Sequence, residues 1–194
     1  TLSQVIAQSN AGDYDLHLAL HSNAAGAANA GQVRGTDVYY YPGSTRGKRA
    51  ADIIAENFKN IYPDPSRVRT VPTTTLAEVV RTRAPSVLVE IAYHDNVQDA
   101  EWIRDNIQPI ARNLVQSLTQ YFGIPFIEAQ PAREGRVDTV RGNLNLRSRP
   151  SLDAPIITTI PDGSPVIVYG QWQEWYVVEY MGNIGYASSR YIEV

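Results

Sequence analysis

The chain has 194 residues, with 17 basic and 20 acidic side chains, a net charge of −3, and no Cys. That length suits one medium domain or two small ones, and the charge gives no broad electrostatic case for nucleic acid. Without Cys, disulfides, thiolate metal sites and cysteine nucleophiles are excluded; no apolar run approaches the ~20 residues of a membrane span.

Residues 2–9 predict a short helix with Leu2, Val5 and Ile6 on one side, ended by Asn10-Ala11-Gly12. Leu16, Leu18 and Leu20 then alternate with His17, Ala19 and His21, a strand rhythm that stops at Ser22-Asn23. His17 and His21 share a face of that strand, but four strand residues span roughly 13 Å. Ligands lie only ~2.0–2.1 Å from zinc, so a regular strand cannot place both on one metal. His21, at the polar strand end, is the candidate ligand; His17 reads as a structural histidine. Residues 24–35, rich in Ala and Gly, read as a flexible loop beside that end.

A strand follows at 36–41, TDVYYY, whose tyrosines suit either an aromatic floor for a sugar or peptide or an amphipathic edge strand. Ala50, Ile54, Phe58 and Ile61 form the buried stripe of a helix over about 45–60. Residues 67–71 predict a short strand. Thr73-Thr74-Thr75 can cap a short helix carrying Leu76, Val79 and Val80, with Glu78 three residues after Thr75 as in a capping box.

The segment VLVEIAYHDN, residues 87–96, carries the most chemistry. Val87, Leu88, Val89 and Ile91 make the apolar run of a buried parallel strand, yet Glu90 sits inside it. A carboxylate there is costly unless paired, hydrogen-bonded or beside a metal. The run turns polar at His94, Asp95 and Asn96, and open α/β sheets bind ligands beyond the carboxyl ends of their strands. Glu90 is therefore read as a chemical residue, with a structural pairing to Arg81 or Arg83 as the alternative. Trp102, Ile103, Ile107, Ile110, Leu114, Leu118 and Phe122 recur at helical spacing over about 97–121, where Pro109 breaks or kinks the helix or begins a second one.

Residues 123–134 read as a linker. From 135 to 194 the texture changes to short strand-like pieces (144–147, 155–160, 165–170, 175–180, 184–189) separated by turns, which predicts a small barrel. It has no His or Cys, so it suits an adaptor better than an enzyme. Trp172, Trp175, Tyr176, Tyr180, Tyr186 and Tyr191 exceed what so small a core absorbs easily, so a binding groove lined by some of them is weighed against core packing plus chance exposure.

These pieces carry a resemblance. Through DLHLALHSNA (15–24), GTDVYYY (35–41) and the segment from Pro85 through VLVEIAYHDN to the long helix, residues 1–122 resemble the carboxyl-terminal part of the zinc-dependent N-acetylmuramoyl-L-alanine amidase family. Through NLNLRSRPS (143–151), the Gly163 turn, WYVVEY and GNIGYASSRYI (182–192), residues 135–194 resemble a bacterial SH3-like wall-binding domain. The resemblance implies an α/β fold, a partial open mostly parallel sheet with covering helices, followed by a small all-β SH3-like barrel. It implies zinc as cofactor, peptidoglycan as substrate, and action at the cell wall, as an extracellular autolysin or a phage-encoded lysin.

By the same resemblance His21 corresponds to a zinc-ligating histidine and Glu90 to the general base. His94 stands where the family pattern has an aliphatic residue and is the candidate for a substitute ligand, a proton shuttle or a hydrogen-bonding group. Candidate substrate contacts are Asn23, Tyr41 and Asn96 in the first domain and Trp172, Trp175, Tyr176 and Tyr186 in the barrel. The family's first strand with its histidine, the helix with its Glu ligand, and the next strand have no counterpart here. One ligand cannot hold a catalytic zinc, which normally takes three. The remaining ligands are therefore expected from a second chain or a fragment supplying that part; otherwise the chain binds wall without cutting it.

Overall fold

The computed structural model describes residues 1–128 and 130–194, which divide into two units, Thr1–Phe122 and Gly123–Val194. In the first unit four strands, β1 (His17–Asn23), β2 (Thr36–Tyr40), β3 (Val68–Pro72) and β4 (Ser86–Tyr93), form one sheet in the order β1-β4-β2-β3. β4 runs parallel to β1, and β2 parallel to β3, but β2 runs antiparallel to β4. The carboxyl ends of β1 and β4 thus lie at one end of the sheet, and those of β2 and β3 at the other.

As an inner strand covered on both faces, β4 needs the near-continuous apolar run that the sequence supplies. Its Val87 and Val89, with Val38 and Val68, pack into a core with α2 (Thr45–Phe58) and α5 (Ile107–Phe122). Ala50, Ile54 and Phe58 give α2 its buried stripe, and Ser44 caps it by accepting the Gly47 N–H at 3.0 Å. Each large side chain buried so completely contributes roughly 1.5–3 kcal/mol. The alternate residues Ala19, Leu88 and Tyr39 face the opposite way, against Val79 and Leu76 around α3 (Ala77–Val80).

The helical region after β4 is two helices, α4 (Val97–Asp105) and α5, parted at Asn106. Pro109 falls in the first turn of α5, where its missing N–H has no partner to lose. At the amino end α1 (Leu2–Ala11) has its capping box at Thr1 and Gln4. The capping box expected at Thr75 and Glu78 does not form. Leu76 is the N-cap of α3 with no side-chain cap, and Thr73 Oγ1 accepts from the N–H groups of Thr75 and Leu76 instead.

The 24–35 stretch, read from sequence as flexible, is fastened to the turn after β4. Ala25 N–H donates to Asp95 Oδ2 at 2.9 Å, Asn96 Nδ2 to Gly31 O at 2.6 Å, and Arg34 Nε to Asp99 Oδ1 at 3.0 Å. Gly35 N–H donates to Asp99 Oδ2 at 3.0 Å with φ of +131°, and a Cβ there would lie 2.5 Å from Arg67 O, so only glycine fits.

The second unit is an antiparallel sheet in the order β11-β5-β8-β9-β10-β6-β7. Its strands are β5 (Arg133–Val137), β6 (Leu144–Arg147), β7 (Ile156–Ile160), β8 (Pro165–Trp172), β9 (Trp175–Tyr180), β10 (Asn183–Ser188) and β11 (Ile192–Glu193). β5 begins inside the 123–134 stretch read as linker. Inward-facing Val137, Leu146, Ile160, Val168, Val178 and Ala187 form the core. No described helix of either unit is long and apolar enough to cross a membrane.

Candidate active site

The strand registers align one residue from each strand of the first sheet. His21 on β1 pairs with Glu90 on β4, Glu90 with Asp37 on β2, and Asp37 with Arg69 on β3. With a side-chain period of two and neighbouring strands about 4.8 Å apart, these four polar side chains share the face that also carries Ala19, Leu88 and Tyr39. The opposite face is apolar, so the row is a deliberate exception in an otherwise well-packed sheet.

Glu90 is the least satisfied member. Its Oε2 is buried and has no hydrogen-bond partner. Burial raises its pKa above the ordinary carboxylate range, the His21 imidazole opposes that rise, and the Asp37 carboxylate adds to it. The structural alternative fails on geometry, because neither arginine reaches it: Arg83 Nη2 donates to Asn10 O, and Arg81 makes no side-chain bond among the described residues.

His21 is partly exposed, and its Nε2 lies 3.5 Å from Glu78 Oε2. The other oxygen of Glu78 is 3.1 Å from His17 Nε2, and His17 Nδ1 is 3.0 Å from Ser9 Oγ. His17 is thus held between α1 and α3, the structural role expected of it. Glu78 clamps both histidines of β1 at once. Sequence reasoning placed it in a capping box, and nothing local in the chain signals a contact across 61 residues.

His94 stands exposed past the end of β4, its Nδ1 3.0 Å from Ser22 Oγ and 3.1 Å from Ser22 O, and close enough to Glu90 to favour the ionised carboxylate. Asp37 is buried, accepting from Arg69 Nε and Nη2 at 3.0 and 2.7 Å and from the Tyr93 hydroxyl at 3.2 Å. Burial and the neighbouring Asp37 push the Tyr93 phenol up to about 12. Behind this end of the sheet Asp99, fully buried, accepts from Arg34, Gly35 N–H, Tyr93 N–H and the Tyr62 hydroxyl. That carboxylate ties the 24–35 loop, β4 and α4 together around the site. The sequence reading singled out none of Asp37, Arg69 and Asp99.

Of the proposed substrate contacts, Asn23 lies at the carboxyl end of β1, beside the site, where its backbone oxygen accepts the His94 N–H at 2.9 Å. Asn96 is 7 % exposed and is spent as the N-cap of α4, accepting from Gln98 and Asp99 N–H groups. Tyr41 is displaced: because β2 runs antiparallel to β4, with Tyr40 beside Val87, it emerges at the end of the sheet opposite Glu90. In the barrel, Tyr186 is 8 % exposed and belongs to the interior, not to a groove. Tyr176 packs partly against the core with the Arg133 guanidinium over its ring at 6.0 Å, while Trp172 and Trp175 pair across the β8–β9 hairpin, half-buried.

The donor set fits a metal in part. An imidazole at a strand end is a common zinc ligand, and the buried, unpaired Glu90 oxygen is what a neighbouring cation would stabilise. Among the described residues, however, no three His, Asp or Glu side chains are grouped to hold an ion. A closed ligand set needs donors beyond His21.

Residues 1–120 match the N-acetylmuramoyl-L-alanine amidase family, and residues 142–193 match the bacterial SH3 domain. No curated protein matches the sequence. Among solved structures, the catalytic domain of the CD27L endolysin targeting Clostridia Difficile is 26% identical with a TM-score of 0.53, the match covering 61% of this chain and 62% of that one. The catalytic domain of CwlV, an N-acetylmuramoyl-L-alanine amidase from Bacillus (Paenibacillus) polymyxa, is 20% identical with a TM-score of 0.54 over 64% of this chain and 67% of its own. The amidase AmiC2 of Nostoc punctiforme shares the fold at 18% identity and a TM-score of 0.54, over 63% of this chain and 66% of its own. The chain thus spans somewhat under two thirds of the endolysin domain it matches. With its family match covering residues 1–120, the chain belongs to the N-acetylmuramoyl-L-alanine amidase family.

Proposed function

We propose that the first unit hydrolyses the amide between N-acetylmuramic acid and L-alanine in peptidoglycan, and that the barrel attaches it to the wall. The observation that carries this is the registered pair of His21 and Glu90, with a Glu90 oxygen buried and unsatisfied at the polar end of β4. Family membership supports the choice of bond.

In this reading His21 is one zinc ligand, with further donors from outside the described set. The chemistry zinc supplies when bound is Lewis-acid polarisation of the amide carbonyl. Glu90 takes a proton from the attacking water and passes it to the departing L-alanine nitrogen. Its raised pKa makes it a stronger base than a solvated carboxylate, and Glu78 sets the orientation of the His21 ring. Such an enzyme works at the cell wall, either as an extracellular autolysin or as a phage-encoded lysin.

The direct test is release of L-alanine-bearing peptide from purified peptidoglycan, with metal content measured on the same preparation. Turnover and zinc together support the reading; wall binding without release would leave a non-catalytic wall binder.

A further inference from the structure

Among the described residues, two concave surfaces of the barrel differ in character. The larger, about 760 Å³, is edged by Glu134, Glu179 and Glu193 against the single cation Arg136. The smaller, about 440 Å³, is lined by Arg141, Arg147, Asn145, Trp175, Leu152 and Tyr191 among others, and none of its described lining residues is acidic. In a chain with more acidic than basic residues, a groove with two arginines and no carboxylate is not an average sample of the surface.

Its polar groups are also available. Arg147 is held in place, its Nη1 donating to Ala154 O at 2.8 Å, whereas Arg141 is exposed and makes no hydrogen bond or ion pair among the described residues. The half-buried Asn145 side-chain amide has no hydrogen-bond partner there either, and its donor and acceptor match a peptide group. Asp162, bonded to the lining residue Thr139, is occupied by the Thr139 N–H at 2.7 Å and the Thr139 hydroxyl. Trp175 and Tyr191 supply flat apolar surface between these groups.

We infer that this groove binds a carboxylate-bearing peptide, with Arg141 pairing its carboxylate, Asn145 its backbone amide and Trp175 its apolar stem. The inference rests on the wall-acting reading and names the wall component recognised: the acidic stem peptide, not the glycan. It also divides the barrel's aromatic residues. Trp175 and Tyr191 face ligand, and Tyr186 does not.

The test uses the full chain carrying Glu90→Gln, so that no probe is turned over. The probes are the stem tripeptide L-Ala-γ-D-Glu-L-Lys with free carboxylates and the same peptide fully amidated. Titration followed through the Trp175 indole N–H signal should give saturable shifts with the free acid. Amidation of the peptide, or Arg141→Gln in the protein, should each weaken binding about tenfold, as loss of a charge-assisted hydrogen bond does. Arg141 is exposed and unbonded, so that variant should keep the parent's thermal unfolding curve. Equal binding of both peptides, no effect of Arg141→Gln, or shifts confined to Tyr180 and Met181 in the larger groove would overturn the inference. So would binding of poly(glycerol phosphate) where the free-acid peptide does not bind. Amidase assays on the parent chain are scored separately: failure there removes the proposed reaction and leaves the peptide titration as an independent result.

Discussion

His21 and Glu90 stand opposite each other on the parallel strands β1 and β4, and Glu90 Oε2 is buried there without a hydrogen-bond partner. An unpaired buried carboxylate oxygen costs free energy that folding alone gives no reason to spend. The pairing of an imidazole with such a carboxylate, at the polar end of two strands, is the core of the functional reading.

Replacing Glu90 with Gln keeps the shape and removes the base. The expected result is a loss of turnover of about 10²–10⁴-fold, with zinc content unchanged, measured by peptide release and metal analysis together. Loss of zinc from this variant would make Glu90 a ligand instead of the base.

The two histidines of β1 should separate cleanly. His21→Ala should lower zinc content and abolish turnover with little effect on unfolding, since its ring is partly exposed. His17→Ala should leave zinc bound but destabilise the unit by about 1–3 kcal/mol, because Ser9 and Glu78 both lose a partner. Chemical denaturation of the two variants side by side distinguishes these outcomes.

Asp99 predicts an acid limit to stability. Burial alone would raise its pKa, but hydrogen bonds from Tyr62, Tyr93, Gly35 and Arg34 hold it below the ordinary value of 3.8. The stabilisation it gives is therefore complete above that value and is lost as pH falls through the lower folded pKa. Asp99→Asn should cost about 3 kcal/mol near neutral pH and flatten the acid limb of the unfolding midpoint plotted against pH.

Tyr186 tests the barrel's interior. Tyr186→Phe should be tolerated, since its hydroxyl has no partner among the described residues, whereas Tyr186→Ala should cost about 3–5 kcal/mol in urea unfolding. A wall-binding defect in Tyr186→Phe with unchanged stability would return this residue to the ligand surface.

Much of the fold was legible because its signals are local. A short apolar run with a carboxylate inside it marked β4 and Glu90, the alternation of Leu with His marked β1, and turn-punctuated strands marked the barrel. Helical periodicity found α2 and α5, and Pro109 marked a break or second helix start within the long stretch, which the structure places three residues earlier, at Asn106.

By itself, then, the sequence determined which residues carry polar chemistry and which faces are apolar, because side-chain periods of 2 and 3.6 are written in consecutive residues. Only the tertiary structure decided which distant strands pair, in what direction and in what register. The antiparallel run of β2 carries Tyr41 away from Glu90 and brings Asp37 beside it, while the parallel β2–β3 pairing sets Arg69 on the far side of Asp37. The docking of α3 against the sheet turned Glu78 from an expected helix cap into a clamp on His17 and His21. These contacts join residues tens of positions apart, and their energy comes from burial and pairing that exist only once the sheet is assembled.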